Sequence, residues 1–192
     1  MEADTWDERY RAEPHPWGPQ PAATIRARLE DATPGYAIDL GCGDGRHARW
    51  LYSRGWQVTA VDFSRVALEA ARAKEYGSDI DWQLGDVTTW RPQRLGVDLV
   101  LVGFLQIDVD RLGSALRRAG GWLGEGGRLL YLGHARENHE RGVGGPPNPR
   151  VLPGVADLAL AAEGLRVDSL HHVLRDTGNG TAIDVVLDAR TW

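Results

Sequence analysis

The stretch AIDLGCGDGRHARWL, residues 37–51, joins an apolar run to a segment with helical periodicity. Within it, Gly41, Gly43 and Gly45 fall inside five positions. A strand that passes through a glycine turn into a helix brings the first amide groups of that helix to the carboxyl edge of the sheet, where open α/β folds bind their ligands. Because glycine lets a ligand lie directly on the backbone, this stretch predicts an α/β fold with a binding loop after the first strand.

Short apolar runs and helix-like segments alternate along much of the chain. Continuous apolar strands separated by helices are typical of a parallel sheet that is covered on both faces. The expected strands are YAIDL, WQVTAVD, DIDWQL, VDLVLVGFL and GRLLYLG, and the expected helices lie at about 4–12, 22–29, 45–54, 64–75, 109–122 and 154–163. Two last strands, at about 165–174 and 181–189, flank Asn179-Gly180, a hairpin signal that predicts antiparallel pairing.

Composition limits the classes of protein and partner that the chain fits. A length of 192 residues with 42% hydrophobic residues predicts a single domain over residues 1–192. The formal net charge of −5, without a run of basic residues, argues against nucleic acid or anionic lipid as a partner. No apolar stretch approaches the roughly 18 residues of a membrane span, so a cytoplasmic location is expected. Cys42 is the single cysteine, which argues against a disulfide or a metal cluster.

Two acidic residues frame the glycine turn. Asp62 ends the second strand 21 residues after Gly41, and a carboxylate at about that spacing reaches the two ribose hydroxyls of an adenosine held over the turn. Asp39 lies two residues before Gly41, and the turn reads G-x-G-x-G instead of the G-x-G-x-x-G of dinucleotide-binding loops. A carboxylate at the mouth of the loop disfavours a pyrophosphate and favours a ligand with an ammonium group.

Three motifs carry a family resemblance. IDLGCGDGRHARWL, VTAVDFS and LGDV resemble the first three motifs of the class I S-adenosylmethionine (SAM)-dependent methyltransferases, over roughly residues 36–133. The resemblance implies a Rossmann-like three-layer α/β sandwich whose seven-stranded sheet is mostly parallel and has an antiparallel last strand. It also implies SAM as cofactor and S-adenosylhomocysteine as its product.

The same resemblance implies roles for individual residues. The glycine turn would hold the methionine part of SAM, the acid that ends the second strand would bind the ribose, and the residues after it would surround the adenine. The residues concerned are Asp39, Gly41 and Gly43 for the methionine part, Asp62 for the ribose, and Phe63, Asp86 and Val87 for the adenine. Cys42 and Phe104 are also expected to contact the cofactor. Two alternatives stay open, since Asp86 could simply cap a turn and Phe63 could belong to the core.

The acceptor is expected beyond the end of the fourth strand. Methyl transfer is a direct displacement that depends on positioning of the nucleophile, and a hydroxyl nucleophile usually needs a base nearby. Phe104 and Gln106 are the expected floor of the acceptor site. His134, which follows the fifth strand, is the candidate general base, with hydrogen bonding to its own loop as the alternative.

The polar segment 134–154 is expected to be an acceptor-side loop. The loop residues expected to orient a polar acceptor, or else to be solvated, are Arg136 and Asn138.

The N-terminal arm, residues 1–20, is loosely similar in arrangement to that of small bacterial enzymes of the tellurite-resistance and thiopurine methyltransferase group. In those enzymes such a segment closes over the donor. Trp6, Tyr10 and Trp17 are the expected lid residues, because aromatic faces suit a sulfonium cation and exclude water. The alternative is that these side chains only pin the arm to the sheet.

The sequence therefore predicts an enzyme that transfers a methyl group from SAM to a small-molecule acceptor by in-line displacement. The attacked atom, whether oxygen, nitrogen, sulfur or another chalcogen, stays open. One alternative is a non-catalytic SAM-binding scaffold. Another is an NAD-dependent oxidoreductase, against which the glycine spacing, Asp39 and the lack of a Tyr-x-x-x-Lys motif argue. The chain is expected to act as a monomer or a homodimer, without nucleic acid, membrane or metal.

Overall fold

The computed structural model describes residues 3–74 and 77–192. Within these ranges the chain forms seven α-helices and seven strands. In chain order they are α1 (Ala3–Ala12), α2 (Ala23–Leu29), β1 (Tyr36–Leu40), α3 (Arg46–Ser53), β2 (Gln57–Asp62), α4 (Arg65–Ala73), β3 (Asp81–Leu84), β4 (Val97–Gly103), α5 (Val109–Gly120), β5 (Leu123–His134), α6 (Asn138–Arg141), α7 (Val155–Ala161), β6 (Arg166–Asp176) and β7 (Thr181–Arg190). None of the helices in the described ranges has the length and apolar character needed to cross a membrane.

The strands form one seven-stranded sheet in the order β3-β2-β1-β4-β5-β7-β6. β1 pairs in parallel with β2, and β2 with β3, so that Asp39 lies opposite Ala60. β7 runs antiparallel to both β5 and β6, and β6 lies at one edge of the sheet. The predicted Rossmann-like α/β sandwich with an antiparallel last strand is confirmed, and so is the antiparallel hairpin across Asn179-Gly180.

The chain packs as two compact units. The first unit comprises Met1–Gln93 and Leu101–Gly103, and the second comprises Arg94–Val100 and Phe104–Trp192. The assignment of residues 1–192 to one domain stays a prediction.

The first unit is built around two strands that are buried along most of their length, β1 and β2. Both α3 and α4 contact β2, and they bury Leu51 and Leu68 respectively. Ser64 caps α4 by accepting a hydrogen bond from the N–H of Ala67 at 3.0 Å. This packing fixes the turn between β1 and α3 and the carboxyl end of β2.

The second unit is built on β5 and the β6–β7 hairpin. Residues 129–133 of β5 and 184–189 of β7 are buried. The segment 134–154, expected to be a polar loop, contains α6 and a short 3₁₀ turn, Pro149–Val151. This segment therefore contains more regular secondary structure than the predicted loop.

Leu130, fully buried in β5, tests the core of the second unit. Leu130→Ala should lower the free energy of unfolding by about 2–5 kcal/mol, because it removes buried methyl groups and leaves a cavity. Urea denaturation followed by circular dichroism measures the loss. The control, Leu174→Ala, makes the same change at a side chain that is 71% exposed. It should alter the stability by less than about 0.5 kcal/mol, and equal effects of the two variants would contradict the described burial.

Candidate functional site

The glycine turn between β1 and α3 has the left-handed backbone that glycine permits. Gly41, Gly43 and Gly45 have φ values of 73°, 55° and 80°. The N–H groups of Gly41 and Cys42 donate to the carbonyl of Val61 at 2.8 and 3.0 Å. The turn is thus tied to the carboxyl end of β2, where the sequence predicted a ligand site.

Asp62, the last residue of β2, braces this turn. Its Oδ2 accepts a hydrogen bond from the N–H of Gly43, and its Oδ1 accepts one from the N–H of Ser64, both at 2.8 Å. Burial raises the pKa of Asp62 to about 6, although the hydrogen bonds from Ser64 and Gly43 oppose the shift. A carboxylate oxygen has two lone pairs, so Asp62 retains acceptor capacity for a ligand.

Asp39, in β1, carries a fully buried carboxylate. Within the described part of the chain, neither of its oxygens has a hydrogen-bond partner of normal geometry. Burial, reinforced by the charge of Asp62, raises the pKa of Asp39 to about 7, and the nearby N–H of Ala48 only partly offsets this. A buried carboxylate is costly until it is paired, so a ligand cation would be stabilised at this position.

The N-terminal arm lies against the glycine turn. The Tyr10 hydroxyl contacts Gly43 so closely that a Cβ at that position would collide with it. Trp6, Tyr10 and Trp17 pack together with ring centroids 6.0–6.1 Å apart. The guanidinium of Arg9 lies 5.3 Å from the ring centroid of Trp6 and 5.0 Å from that of Trp17. The structure brings the three predicted lid residues together beside the turn, and their role in binding stays a prediction.

Two polar side chains that the sequence analysis missed, Asp7 and His15, hold the arm. Asp7 Oδ1 accepts from the hydroxyl of Ser64 at 2.5 Å and from the N–H of Val66 at 3.3 Å, at the start of α4. His15 Nδ1 lies 2.8 Å from Oδ2 of Asp44, a buried residue of the glycine turn. Asp7 and Ser64 are 57 residues apart in the sequence, and His15 and Asp44 are 29 residues apart. No local pattern therefore indicates these contacts.

The residues predicted around the adenine follow β2 and β3. Phe63 is half-buried and packs against the buried side chains of the arm. Asp86 Oδ1 accepts from the N–H and the hydroxyl of Thr88 at 2.8 and 2.7 Å, so the capping role that the sequence left open is observed. Val87 is buried. Leu84, at the end of β3, is 50% exposed, and the sequence analysis did not identify it as a site residue. Contact of Phe63, Asp86 and Val87 with adenine stays a prediction.

In the second unit, the candidate base His134 lies in a cluster with Phe104. Their ring centroids are 5.3 Å apart. His134 Nδ1 lies 3.0 Å from Oδ1 of Asp184, and Arg175 donates to the same carboxylate from Nε at 2.7 Å. The sequence analysis identified neither Asp184 nor Arg175. His134 therefore has a carboxylate neighbour on β7, and its role as general base stays a prediction.

Two other predicted acceptor residues are engaged by neighbours in the second unit. Arg136, which is exposed, donates from Nη2 to Asp157 at 2.7 Å. Asn138 is buried, and its amide accepts from a backbone N–H of β7 at 2.7 Å and donates to a loop carbonyl at 2.9 Å. Asn138 thus ties the segment 134–154 to β7. Gln106 is half-buried, and its predicted contact with an acceptor stays a prediction.

The fold and the braced glycine turn are similar to those of class I SAM-dependent methyltransferase domains. Residues 37–127 match a family described as a methyltransferase domain. This match supports the predicted class of enzyme, a SAM-dependent methyltransferase, and the predicted cofactor SAM with its product S-adenosylhomocysteine.

Curated relatives match part of the chain. An uncharacterized methyltransferase of Mycobacterium bovis is 34% identical over 95 residues, which are 50% of this chain and 48% of that protein. A trans-aconitate 2-methyltransferase of Methylobacterium radiotolerans is 34% identical over 112 residues, which are 57% of this chain and 42% of that protein. The chain spans about half the length of the curated relatives it matches.

A solved structure agrees with the fold over the whole chain. The N-methyltransferase NodS of Bradyrhizobium japonicum, in complex with S-adenosylhomocysteine, superposes with a TM-score of 0.76. The identity is 18%, and the match covers 100% of this chain and 99% of that chain. Because the identity is low, this likeness shows that the two proteins share a fold and nothing more.

Asp39 should make the stability of the protein depend on pH. Its pKa is raised from 3.8 to about 7, so between these values the folded state holds a proton that the unfolded state has lost. Stability therefore falls as the pH rises through this window. Asp39→Asn removes the effect and should stabilise the protein by more than about 1 kcal/mol at about pH 8, with little change at about pH 4. Urea denaturation across this range measures the difference.

The exposed carboxylate of Asp31 provides the control for this experiment. Asp31→Asn should shift the stability by less than about 0.5 kcal/mol at every pH. An effect of Asp39→Asn that is equal at both ends of the pH range would show that the Asp39 carboxyl does not titrate as described.

Proposed function

We propose that the protein binds SAM on the glycine turn and transfers its methyl group to a small-molecule acceptor. The observation that carries the proposal is the state of the Asp39 carboxylate. It is buried and lacks a well-formed hydrogen-bond partner among the described residues. It lies beside a turn whose glycines carry no side chains. SAM brings an ammonium group together with an adenosine, which suits this arrangement. A pyrophosphate would instead place negative charge against Asp39.

The residues of the first unit fit the parts of SAM. Asp39 would receive the ammonium group, and the backbone of Gly41 and Gly43 would lie against the amino-acid part. Asp62 would accept from the ribose hydroxyls through lone pairs that the turn leaves unused, and Phe63 would stack on the adenine. When bound, SAM supplies a methyl group that a nucleophile can take from a positively charged sulfur.

The arm would exclude water from the donor. Trp6, Tyr10 and Trp17 present aromatic faces, which stabilise cations and are apolar. A dry site strengthens every charge interaction inside it. Because the Tyr10 hydroxyl touches Gly43, entry of the donor requires the arm to move.

The acceptor is proposed to be a small molecule. A net charge of −5 gives the protein no general attraction for nucleic acid. The state of assembly, monomer or homodimer, and the cytoplasmic location stay predictions.

Thermal melting with SAM, S-adenosylhomocysteine or NAD tests the proposal. A ligand at 100 times its Kd stabilises a protein by about 2.7 kcal/mol, which raises the Tm of a protein of this size by roughly 5–10 °C. Stabilisation by NAD and not by SAM would contradict the proposal. Release of S-adenosylhomocysteine with a panel of thiols, phenols and amines then tests turnover, and binding without any turnover would favour the scaffold.

Asp62→Ala should weaken SAM binding by about 1.5–3 kcal/mol, because it removes charged acceptors from two hydroxyl groups. Isothermal titration calorimetry measures the change, and the unliganded Tm shows whether the variant is folded. Asp31→Ala, at an exposed carboxylate of the same unit, should bind SAM as the wild type does. Unchanged affinity in Asp62→Ala would mean that the ribose lies elsewhere.

Asp39→Asn should separate affinity from stability. The variant is expected to be more stable at neutral pH, for the reason given above, and yet to bind SAM at least about 10-fold more weakly, because the ammonium group loses a buried counter-charge. Calorimetric titration of SAM into the variant measures the affinity. Equal or tighter binding would place the ammonium group away from Asp39.

A further inference from the structure

The N-terminal arm fills space that the glycine turn leaves open. A ligand that lies on the turn needs the room where Gly43 carries no side chain. The hydroxyl of Tyr10 already lies there, because a Cβ at Gly43 would collide with it. Burial, together with the charges of Asp62 and Asp44, raises the pKa of Tyr10, so its hydroxyl stays neutral. The hydroxyl is therefore close to the turn and also to the carboxylate proposed to bind the ribose.

The arm also lies against the part of the first unit that is proposed to hold the adenine. Trp6 and Tyr10 form a buried cluster with Ala67 of α4, and Phe63 packs against this cluster. Phe63 is the side chain proposed to stack on the adenine. The arm thus contacts residues assigned to both ends of the donor.

Polar contacts of Asp7 and His15, here called the latches, hold the arm in this position. Asp7 Oδ1 accepts from the hydroxyl of Ser64 at 2.5 Å and from the N–H of Val66 at 3.3 Å. His15 Nδ1 lies 2.8 Å from Oδ2 of Asp44. Ser64 and Asp44 are buried, so water competes only weakly for these partners. Each latch joins the arm to an element that borders the proposed donor site.

The buried partners stay paired when the latches open. Asp44 keeps Arg49, whose Nη2 lies 3.8 Å from Oδ2 and whose Nη1 donates to the Asp44 carbonyl at 2.5 Å. Ser64 keeps its hydrogen bonds to Asp62 and to the N–H of Ala67. Opening therefore leaves no buried charge alone, and its cost is that of ordinary hydrogen bonds.

We propose that the docked arm is an autoinhibitory contact, in which Tyr10 and the donor compete for the space over Gly43 and the latches stabilise the ligand-free state. This inference rests on the proposed function, in which SAM is the donor. Binding of SAM displaces Tyr10 and opens the latches. Covering of the bound donor by the arm then requires a second position of the arm, in which the latches are not made. An arm that is docked for about 90% of the time would weaken the apparent affinity for SAM about 10-fold.

A lid that makes the same contacts around a bound donor would have the opposite effect. Contacts that exist in the donor-bound state strengthen binding, and their removal weakens it. Contacts that exist only in the ligand-free state weaken binding, and their removal strengthens it. The sign of the change in SAM affinity therefore decides between the two arrangements.

Removal of the latches tests the proposal directly. Asp7→Ala and His15→Ala should each lower the Kd for SAM by about 3–10-fold, because each removes a hydrogen-bonded contact of the ligand-free state. The double variant should bind more tightly than either. Isothermal titration calorimetry measures the Kd, and the unliganded Tm shows whether the variants are folded. Unchanged or weaker binding in the double variant would overturn the proposal.

Glu8→Ala is the matched control for Asp7→Ala. Glu8 is an exposed acidic residue next to Asp7 in α1, so its removal changes the charge of the arm by the same amount. The Kd for SAM should stay within about 2-fold of the wild-type value. A gain in affinity as large as that of Asp7→Ala would assign the effect to charge and contradict the role of the latch.

Amide hydrogen exchange reports the position of the arm when the donor site is filled. The N–H of Val66 lies in the first turn of α4, where helix N–H groups lack an acceptor within the helix, and it donates to Asp7 of the arm. The N–H of Ala67 donates to Ser64 and serves as the internal control. Saturating S-adenosylhomocysteine should accelerate exchange at Val66 relative to Ala67 by about 3-fold or more, measured by NMR. Slower exchange at Val66 would show that the latch persists with ligand bound and would refute the proposal.

The outcomes separate this inference from the proposed function. Binding of SAM by neither the wild type nor the double variant would refute the proposed function and the inference with it. Binding by the wild type without a gain in the double variant would refute the inference alone. Binding by the double variant when the wild type binds too weakly to measure would support both.

Discussion

One carboxylate connects the parts of the first unit that form the candidate binding site. Asp62 accepts hydrogen bonds from Gly43 in the turn and from Ser64 at the start of α4, and the Ser64 hydroxyl in turn bonds to Asp7 of the arm. Strand, turn, helix and arm are therefore joined through two buried residues, Asp62 and Ser64. A displacement of any of them changes the geometry at the end of β2.

Local patterns were sufficient to predict the central part of the fold. The glycines of the turn, the spacing to Asp62 and the Asn179-Gly180 hairpin each act over a few residues or through one short unit of strand, turn and helix. Their physical cause is equally local: allowed backbone angles and a two-residue turn. These features account for most of the candidate site in the first unit.

The remaining contacts depend on strand register and on long-range packing. His134 and Asp184 are 50 residues apart in the sequence, and they meet because β5 and β7 pair in one particular register. A shift of one residue would turn Asp184 to the opposite face. The anchors of the arm at Asp7 and His15 are likewise set by packing. No pattern in the sequence identified these partners, although an aspartate inside the apolar strand AIDVVL was a visible anomaly.

The position of β6 at the edge of the sheet bears on how the protein behaves at high concentration. An eleven-residue strand with an exposed Leu174 offers a template on which a second chain could add by backbone pairing. The strand carries Arg166 and Asp168, which pair with each other at 3.1 Å, and its register is interrupted between Val167 and Ser169. A chain that added to this edge would have to remove water from these charges and straighten the irregular strand, and both steps cost free energy. The same edge residues therefore disfavour fibre formation.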